Sequence, residues 1–242
     1  TAPLPLAINS KPYKGRQACH YDGWCDSGCS IGALGNPLAV WLPRARSAGA
    51  RIEHNARVTR VIRDAKNSQR IECVEYLQGG ERKTMHAEHI IIAAFTVQSV
   101  RILLSSATEQ HAAPGNHSDK LGRYLMTHPA GTLFGLFGEE TFPHQGVSAG
   151  QLLNHDDYDE KDAPGGFGSS QWMIGHAIKP HDLLGYGTNR PDIFGADLEP
   201  WLKRASRHIG NMTLVCEDIP LPENPITLSD RVDADGVAYA HA

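Results

Sequence analysis

An unbroken apolar run in the first half of the chain is the feature that most constrains its fold. The run IIIAAF occupies residues 90–95 and leads directly into TVQSVRILLSSA at 96–107. The run has the length of a buried strand, and the second stretch has the apolar spacing of one helix face. A buried strand that leads into a helix is typical of α/β proteins, and backbone N–H groups at such a junction can bind an anionic ligand.

The residues before this junction fit the same α/β organisation. The stretch NPLAVWLPRARSAGA at 36–50 predicts a helix, in which Pro43 should cause a kink or mark the true start. Alternating apolar and charged residues at 51–64 predict strands. A hairpin that turns at Gly79-Gly80 is predicted next, and it leads into the buried strand at 90–94.

The second half of the chain predicts an antiparallel sheet with helices, which is α+β organisation. A short helix and an alternating strand are predicted in 121–140, and a helix followed by a strand in 199–220. Residues 224–240 predict a hairpin that turns at Asp235-Gly236. The predicted fold class is therefore α/β plus α+β.

Composition argues against three broad classes of protein. The net charge of −4 argues against a nucleic-acid-binding protein, which would carry a basic face. No apolar run approaches the roughly 18 residues that a membrane-spanning helix needs. Five cysteines are too few for a disulfide scaffold. Two of them, Cys73 and Cys216, lie in predicted strands, where we expect them to pack as small apolar residues.

The other three cysteines, Cys19, Cys25 and Cys29, lie within eleven residues. Thiolates are soft ligands that suit iron–sulfur clusters, zinc or copper(I). Three thiolates are a full set for a [3Fe-4S] cluster, whereas zinc would need a fourth ligand such as His20. Spacing alone also leaves open three unligated or partly disulfide-bonded thiols. Glycines between and beside the cysteines would let the backbone curl around a compact group; they are Gly23, Gly28 and Gly32.

Several stretches together resemble the glucose–methanol–choline (GMC) family of FAD-dependent oxidoreductases. The longest is INSKPYKGRQACHYDGWCDSGCSIGALGNPLAVWLPRARSAGARIEHNARVTRVI, and IIIAAFTVQSVRILLSSAT, LGRYLMTHPAG and LPENPITLSDRVDADG follow in the family's order. The cysteine spacing resembles that of multi-subunit sugar and sugar-acid dehydrogenases, in which three such cysteines bind a [3Fe-4S] cluster. The resemblance implies a sugar or sugar-acid CH–OH substrate, hydride transfer to FAD, and single-electron transfer through the cluster to a cytochrome.

The resemblance also implies positions for the cofactors. Cys19, Cys25 and Cys29 would be the metal ligands, while five other residues would contact FAD: Val58, Ala93, Ala94, Gly32 and Asn36. His128 matches a family histidine near the flavin domain boundary, or is a hydrogen-bonded structural histidine. The family usually has Gly where this chain has Phe95, which we interpret as a core aromatic. No residue of this chain matches the family's catalytic histidine, so none is assigned a catalytic role.

The resemblance divides the chain into three segments. Residues 1–35 would form a cysteine-containing loop, 36–128 part of a Rossmann-like FAD-binding domain, and 129–242 part of an antiparallel-sheet substrate domain. We expect a fragment incomplete at both ends, inactive by itself, because the family's G-x-G-x-x-G motif is absent and the chain begins at Thr1. A processed mature chain is the alternative.

Expected partners are a cytochrome c subunit and a small export or assembly subunit. The expected location is periplasmic and membrane-associated through those subunits, with a cytoplasmic location as the alternative. Two other functions stay open at this point: a flavin-free metal-binding or electron-transfer module, and an inactive homologue in which Phe95 blocks the cofactor.

Overall fold

The computed structural model describes residues 1–156, 158 and 168–242. The helices are α1 (Leu42–Ser47), α2 (Phe95–Leu104), α3 (Pro180–Thr188) and α4 (Leu198–His208), and a π-helical turn, Pro37–Trp41, precedes α1. The strands are β1 (Ala2–Pro3), β2 (Arg57–Arg63), β3 (Ile71–Gln78), β4 (Glu81–His86), β5 (Ala130–Leu136), β6 (Leu152–Asn154), β7 (Ser170–Ile174), β8 (Ile209–Cys216), β9 (Thr227–Val232) and β10 (Ala238–His241).

The chain forms two compact units that alternate along the sequence. The first unit comprises Thr1–Ala50 and His128–Asp218, and the second comprises Arg51–Thr127 and Ile219–Ala242. These boundaries differ from the three consecutive segments expected from sequence, because the first 50 residues and the last 24 each pack with a distant part of the chain. The functional assignment of those three segments stays a prediction.

The first unit contains the antiparallel sheet expected for the second half of the chain. Its strand order is β1-β6-β7-β8-β5. Strands β5 and β8 pair along their full length, from Ala130 opposite Val215 to Leu136 opposite Ile209. The predicted helix and strand at 199–220 are confirmed as α4 and β8. Ile178, which precedes α3, forms a small core with side chains of α3, α4 and β8: Leu183, Ala205 and Ile209.

The second unit contains two predicted hairpins, and both are confirmed. Strands β2, β3 and β4 form a three-stranded antiparallel meander whose last turn is Gly79-Gly80, and β9 and β10 form a separate pair. Gly79 and Gly80 have φ values of 63° and 80°. That left-handed conformation favours glycine, so the sequence fixes this turn locally. Cys73 is buried on β3, as expected for a core thiol.

The predicted buried strand at 90–94 is wrong. These residues belong to no strand, and Ile91 is 88% exposed. A strand requires a hydrogen-bonded neighbour, and the parts of the chain that are described offer none here. Every ladder in the described sheets is antiparallel, and helices accompany the strands, so the described residues form a mixed helix-and-strand fold. The helix predicted at 96–107 is confirmed as α2.

The helix predicted at 36–50 is confirmed in two parts. Pro37–Trp41 forms the π-helical turn, and α1 begins at Leu42 with Pro43 in its first turn. Pro43 therefore lies near the start of the regular helix, where its missing N–H costs no hydrogen bond. None of the described helices is long and apolar enough to cross a membrane.

Candidate functional site

The cysteine loop, residues 19–29, is irregular and belongs to the first unit. Its beginning is fixed by the Cys19 N–H, which donates to the Asn9 carbonyl at 2.8 Å. Two turns lie on either side of Cys29. In the first, the Gly28 N–H donates to the Cys25 carbonyl, and in the second, the Gly32 N–H donates to the Cys29 carbonyl. Gly28 and Gly32 have φ values of 97° and 66°, so the turns that flank Cys29 use the left-handed backbone that glycine adopts most readily.

Cys29 lies where backbone N–H groups surround its sulfur. The Leu34 N–H donates to Cys29 Sγ at 3.5 Å. Burial acts to raise the pKa of the Cys29 thiol, but hydrogen bonds from the backbone of residues 31–34 outweigh it and lower the pKa below its ordinary value. N–H groups that point at a sulfur stabilise its thiolate form, which is the form that binds metals and reacts as a nucleophile.

Cys19 has a similar but smaller feature, since the Tyr21 N–H donates to Cys19 Sγ at 3.3 Å. Cys19, Cys25 and Cys29 are all free and partly buried. However, no three His, Cys, Asp or Glu side chains in the described portion of the chain form a group that could hold a metal ion. The chemistry of the donors therefore suits a soft metal, whereas the arrangement of the loop does not gather the three sulfurs around one point.

The middle of the loop is packed against a later part of the first unit. Gly23 has φ +70°, and a Cβ there would lie 2.8 Å from Ala177 Cβ and 3.0 Å from the His144 carbonyl. The Nζ of Lys179 donates to the carbonyls of Asp22 and His144 and lies 4.8 Å from the centre of the Trp24 ring. The sequence does not indicate that Lys179 is buried, because a lysine before a proline carries no signal of burial.

Gly32 and Asn36, two of the predicted FAD contacts, follow the cysteine loop. The Asn36 side chain accepts a hydrogen bond from the Ala39 N–H at 2.8 Å and caps the π-helical turn. The Gly32 carbonyl accepts one from Arg16 at 3.1 Å. Both residues therefore have local structural roles, and their contact with FAD stays a prediction.

The other predicted FAD contacts, Val58, Ala93 and Ala94, lie in the second unit. Val58 is on β2, opposite Tyr76. Ala94 immediately precedes α2, and its N–H donates to Ser99 Oγ at 3.2 Å. The predicted flavin contacts are thus divided between the two units, and within the second unit they lie on β2 and at the start of α2.

Two further residues that the sequence singled out can be placed. The Nδ1 of His128 lies 3.0 Å from the Cys216 carbonyl, a contact that fits a structural histidine. The interpretation of Phe95 as a core aromatic is wrong, because Phe95 is 80% exposed. Its φ of +65° is left-handed, a conformation unusual for a bulky residue and natural for the glycine that the family usually has here.

Two carboxylates of the second unit, the buried Glu75 and the partly exposed Asp233, were not anticipated, and each binds two arginines. Glu75 accepts hydrogen bonds from Arg60 and Arg82 as well as from Thr59. Burial acts to raise the pKa of Glu75, but these three donors lower it below its ordinary value. Arg60 and Glu75 lie on different strands, so no local sequence pattern indicated that they form a pair.

The second carboxylate, Asp233, lies in the turn between β9 and β10. It accepts hydrogen bonds from Arg57 and from Arg101, the latter at 2.8 Å. Arg57 above all, then Arg101 and nearby backbone N–H groups, hold the pKa of Asp233 far below its ordinary value, against the effect of burial. Arg101 also donates to the carbonyls of Val237 and Ala238, so that it joins α2 to this hairpin.

Comparison with known proteins identifies the family. The family model described as GMC oxidoreductase matches residues 7–130, just over half of the chain. The fructose dehydrogenase large subunit of Gluconobacter japonicus is 27% identical over 98% of this chain and 43% of its own length. The 6'''-hydroxyparomomycin C oxidase of Streptomyces lividus is 32% identical over 69% of this chain and 32% of its own length. The gluconate 2-dehydrogenase flavoprotein of Pantoea cypripedii is 28% identical over 73% of this chain and 31% of its own length.

The chain thus spans less than half the length of these curated relatives. The matched residues 7–130 contain the cysteine loop, the meander β2–β4 and helix α2. The resemblance seen in the sequence is therefore confirmed, and the chain belongs to the GMC oxidoreductase family.

Proposed function

We propose that this chain is the central part of an FAD-dependent dehydrogenase that oxidises a CH–OH group of a sugar or sugar acid. The match to the fructose dehydrogenase large subunit, which runs over 98% of the chain, carries this proposal. The match to a gluconate 2-dehydrogenase flavoprotein supports the same substrate class. No catalytic residue is assigned within these 242 residues.

FAD is the cofactor implied by membership of the family, and it would accept the hydride removed from the substrate carbon. Val58, Ala93, Ala94, Gly32 and Asn36 would hold it. The chemistry of the second-unit residues suits this role, because the alanines add little bulk beside the N-terminus of α2 and leave the backbone accessible there. These residues would position FAD and would not take part in proton transfer.

We further propose that Cys19, Cys25 and Cys29 bind a [3Fe-4S] cluster that connects the flavin to a one-electron acceptor. The three-cysteine spacing supports it, and so do the N–H groups directed at the sulfurs of Cys19 and Cys29, because hydrogen bonds to the sulfurs tune iron–sulfur sites. Binding would require the loop to bring the three sulfurs together. The proposed partners are a cytochrome c subunit and a small assembly subunit, and the proposed location is periplasmic.

The test uses the full-length protein that contains these residues. Purified protein should contain FAD, and fructose, gluconate or a related polyol should bleach the flavin absorbance under anaerobic conditions. Cys25→Ser should keep this bleaching but lose electron transfer to cytochrome c, while Cys216→Ser should keep both. Equal cytochrome reduction by Cys25→Ser and the unmodified protein would contradict the relay, and failure of every polyol to bleach bound flavin would contradict the substrate class.

A second candidate, an inactive homologue, rests on Phe95. An exposed aromatic side chain in left-handed backbone occupies a position where the family usually has Gly. Titration of flavin-free full-length protein with FAD separates the two functions. Stoichiometric binding supports the dehydrogenase, whereas binding that appears only in Phe95→Gly supports the inactive homologue.

A further inference from the structure

The first 50 residues, which belong to the first unit, expose every tryptophan and tyrosine that they contain. Six of their large side chains have between 40% and 74% of their surface exposed: Tyr13, Tyr21, Trp24, Leu38, Trp41 and Leu42. The other two tryptophans of the chain, Trp172 and Trp201, are partly buried. Single exposed apolar residues are common, whereas several exposed aromatic residues in one segment are typical of a surface that another molecule covers.

The same 50 residues are basic, although the whole chain is acidic. They contain five Lys and Arg but only two Asp and no Glu, which leaves a net charge of +3, whereas the whole chain carries −4. The five cations are Lys11, Lys14, Arg16, Arg44 and Arg46. None of the five forms an ion pair with another described residue. Their positive charge is therefore not neutralised from within the described part of the chain.

Hydrogen bonds join the two stretches that carry these residues, 11–24 and 36–46. The guanidinium of Arg16 donates to the Gly32 carbonyl at 3.1 Å, and Asn36 then caps the π-helical turn. The first stretch is thus fixed to the segment from which the second stretch begins. We call the two stretches together the aromatic–basic surface.

Within the aromatic–basic surface, positive charge lies over exposed rings. Lys14 Nζ is 5.2 Å from the centre of the Tyr13 ring, and the guanidinium carbon of Arg44 is 6.0 Å from the centre of the Trp41 ring. A cation is attracted to the face of an aromatic ring, so each pair presents apolar area and positive charge at one place. Trp, Tyr and Arg are also the residues that contribute most to binding at protein interfaces.

A positive surface on an acidic chain favours one class of anionic partner. Nucleic acids and anionic bilayers present negative charge over an extended area, which would repel the acidic remainder of the chain. A protein can instead place a few Asp and Glu side chains around an apolar centre, which matches cations beside exposed rings. An acidic patch on a protein is therefore the partner that this surface fits best.

We propose that the aromatic–basic surface binds an acidic, partly apolar patch on a partner protein. The exposed rings would pack against the apolar part of that patch, and Lys14 and Arg44 would pair with its carboxylates. This binding requires neither FAD nor a metal. It therefore goes beyond the proposed dehydrogenase function and can fail while that function holds.

The test uses full-length protein and three labelled synthetic peptides, whose binding is measured by fluorescence anisotropy. The first peptide contains Glu and Leu, the second has Gln in place of Glu, and the third has Ser in place of Leu. The Glu–Leu peptide should bind severalfold more tightly than either of the others. Its affinity should fall as sodium chloride is raised from about 0.01 M to about 0.15 M, since the Debye length then shortens from roughly 30 Å to about 8 Å.

The role of the cations is tested with Lys14→Gln/Arg44→Gln, which should weaken binding of the Glu–Leu peptide severalfold. The matched control is Lys83→Gln/Lys203→Gln, which removes the same net charge from exposed residues outside the surface and should leave binding unchanged. If the first double variant does not fold, Lys11→Gln/Lys14→Gln takes its place.

The role of the rings is tested with Trp41→Ser, which should also weaken binding of the Glu–Leu peptide. Phe142→Ser is the control, because Phe142 is an exposed aromatic residue of the first unit outside the surface. Hydroxyl-radical footprinting of the full-length protein alone should oxidise Trp41 and Tyr13 readily, as expected for side chains that no other part of the same polypeptide covers.

Four results would overturn the proposal. They are equal binding of the Glu–Leu and Gln–Leu peptides, equal weakening by the two double variants, an effect of Trp41→Ser no larger than that of Phe142→Ser, and protection of Trp41 and Tyr13 from oxidation. Phosphatidylglycerol vesicles or duplex DNA that bind more tightly than the Glu–Leu peptide, and lose that binding in Lys14→Gln/Arg44→Gln, would also overturn it. Bleaching of the flavin by a polyol tests the proposed function separately and does not depend on these results.

Discussion

The two units of this protein bury charge in opposite ways. In the second unit, Glu75 and Asp233 are each neutralised by two arginines that come from other strands or from α2. In the first unit, Lys179 has carbonyls and an aromatic ring around it, and the described residues place no carboxylate within reach of its ammonium. The paired charges of the second unit connect elements of its fold, whereas the ammonium of Lys179 is satisfied by neutral acceptors.

The two units also differ in the environments of their cysteine thiols. Cys73 lies in the core of the second unit, where burial and the nearby Glu72 and Glu75 raise its pKa. Cys29 lies in the first unit among backbone N–H groups, which lower its pKa despite burial. In the second unit, the charged groups pair with one another and stabilise the structure. In the first unit, the environment of Cys29 favours the negatively charged form of its sulfur.

The largest expected effect concerns Arg101, which is 8% exposed and binds Asp233 together with two backbone carbonyls. Arg101→Met should lower the free energy of unfolding by about 3 kcal/mol, since it removes three hydrogen bonds, one to the partly exposed carboxylate of Asp233 and two to backbone carbonyls, at about 1 kcal/mol each. Arg70→Met is the control, because Arg70 is exposed. Urea unfolding measures the free energy of unfolding of both variants. Equal values would show that the contacts of Arg101 do not stabilise the second unit.

Glu75→Gln should have a smaller effect, a loss of about 1–2 kcal/mol. A neutral amide can still accept one hydrogen bond from Thr59, but it no longer neutralises Arg60 and Arg82, which are themselves half exposed. The exposed Glu81 provides the control variant Glu81→Gln. A Glu75→Gln protein as stable as Glu81→Gln would mean that the arginine pair contributes nothing to the fold.

Acid should destabilise the second unit through the same carboxylates. The pKa values of Glu75 and Asp233 are lower in the folded chain than their ordinary values of 4.5 and 3.8. Their contribution is therefore present above those ordinary values and is lost as the pH falls towards the folded values. Urea midpoints measured from pH 6 to pH 3 should fall, and Glu75→Gln should make the decline shallower. A slope unchanged by that substitution would show that Glu75 is not linked to folding.

The smallest predicted difference is between two thiols. In iron-free protein, iodoacetamide should label Cys29 at lower pH and faster than Cys73, because thiolate is the reactive form and burial protects Cys73. Peptide mass spectrometry of the folded chain at several pH values measures both rates. Denatured protein is the control, in which the two rates should converge. Faster labelling of Cys73 in the folded chain would contradict the difference in environment.

Local sequence signals predicted the local structure of this chain. Gly79-Gly80 and Asp235-Gly236 marked both hairpins, and the apolar spacing of 96–107 marked α2. The apolar run at 90–94 led to a wrong prediction of a buried strand, because a strand depends on a hydrogen-bonded neighbour that no local pattern reveals. The spacing of the cysteines located their loop. The burial of Lys179 could not be predicted, since it results from contacts with His144 and with Asp22 and Trp24, which are more than 150 positions away in sequence.

We propose above that the three cysteines bind an iron–sulfur cluster in a flavin-containing GMC dehydrogenase. The most direct measurement is the content of iron, acid-labile sulfide and FAD in purified full-length protein, combined with low-temperature electron paramagnetic resonance. We expect about three irons per FAD, with a cluster signal that is lost in Cys25→Ser and retained in Cys216→Ser. Full occupancy by FAD without iron, or an iron signal unaffected by Cys25→Ser, would contradict it.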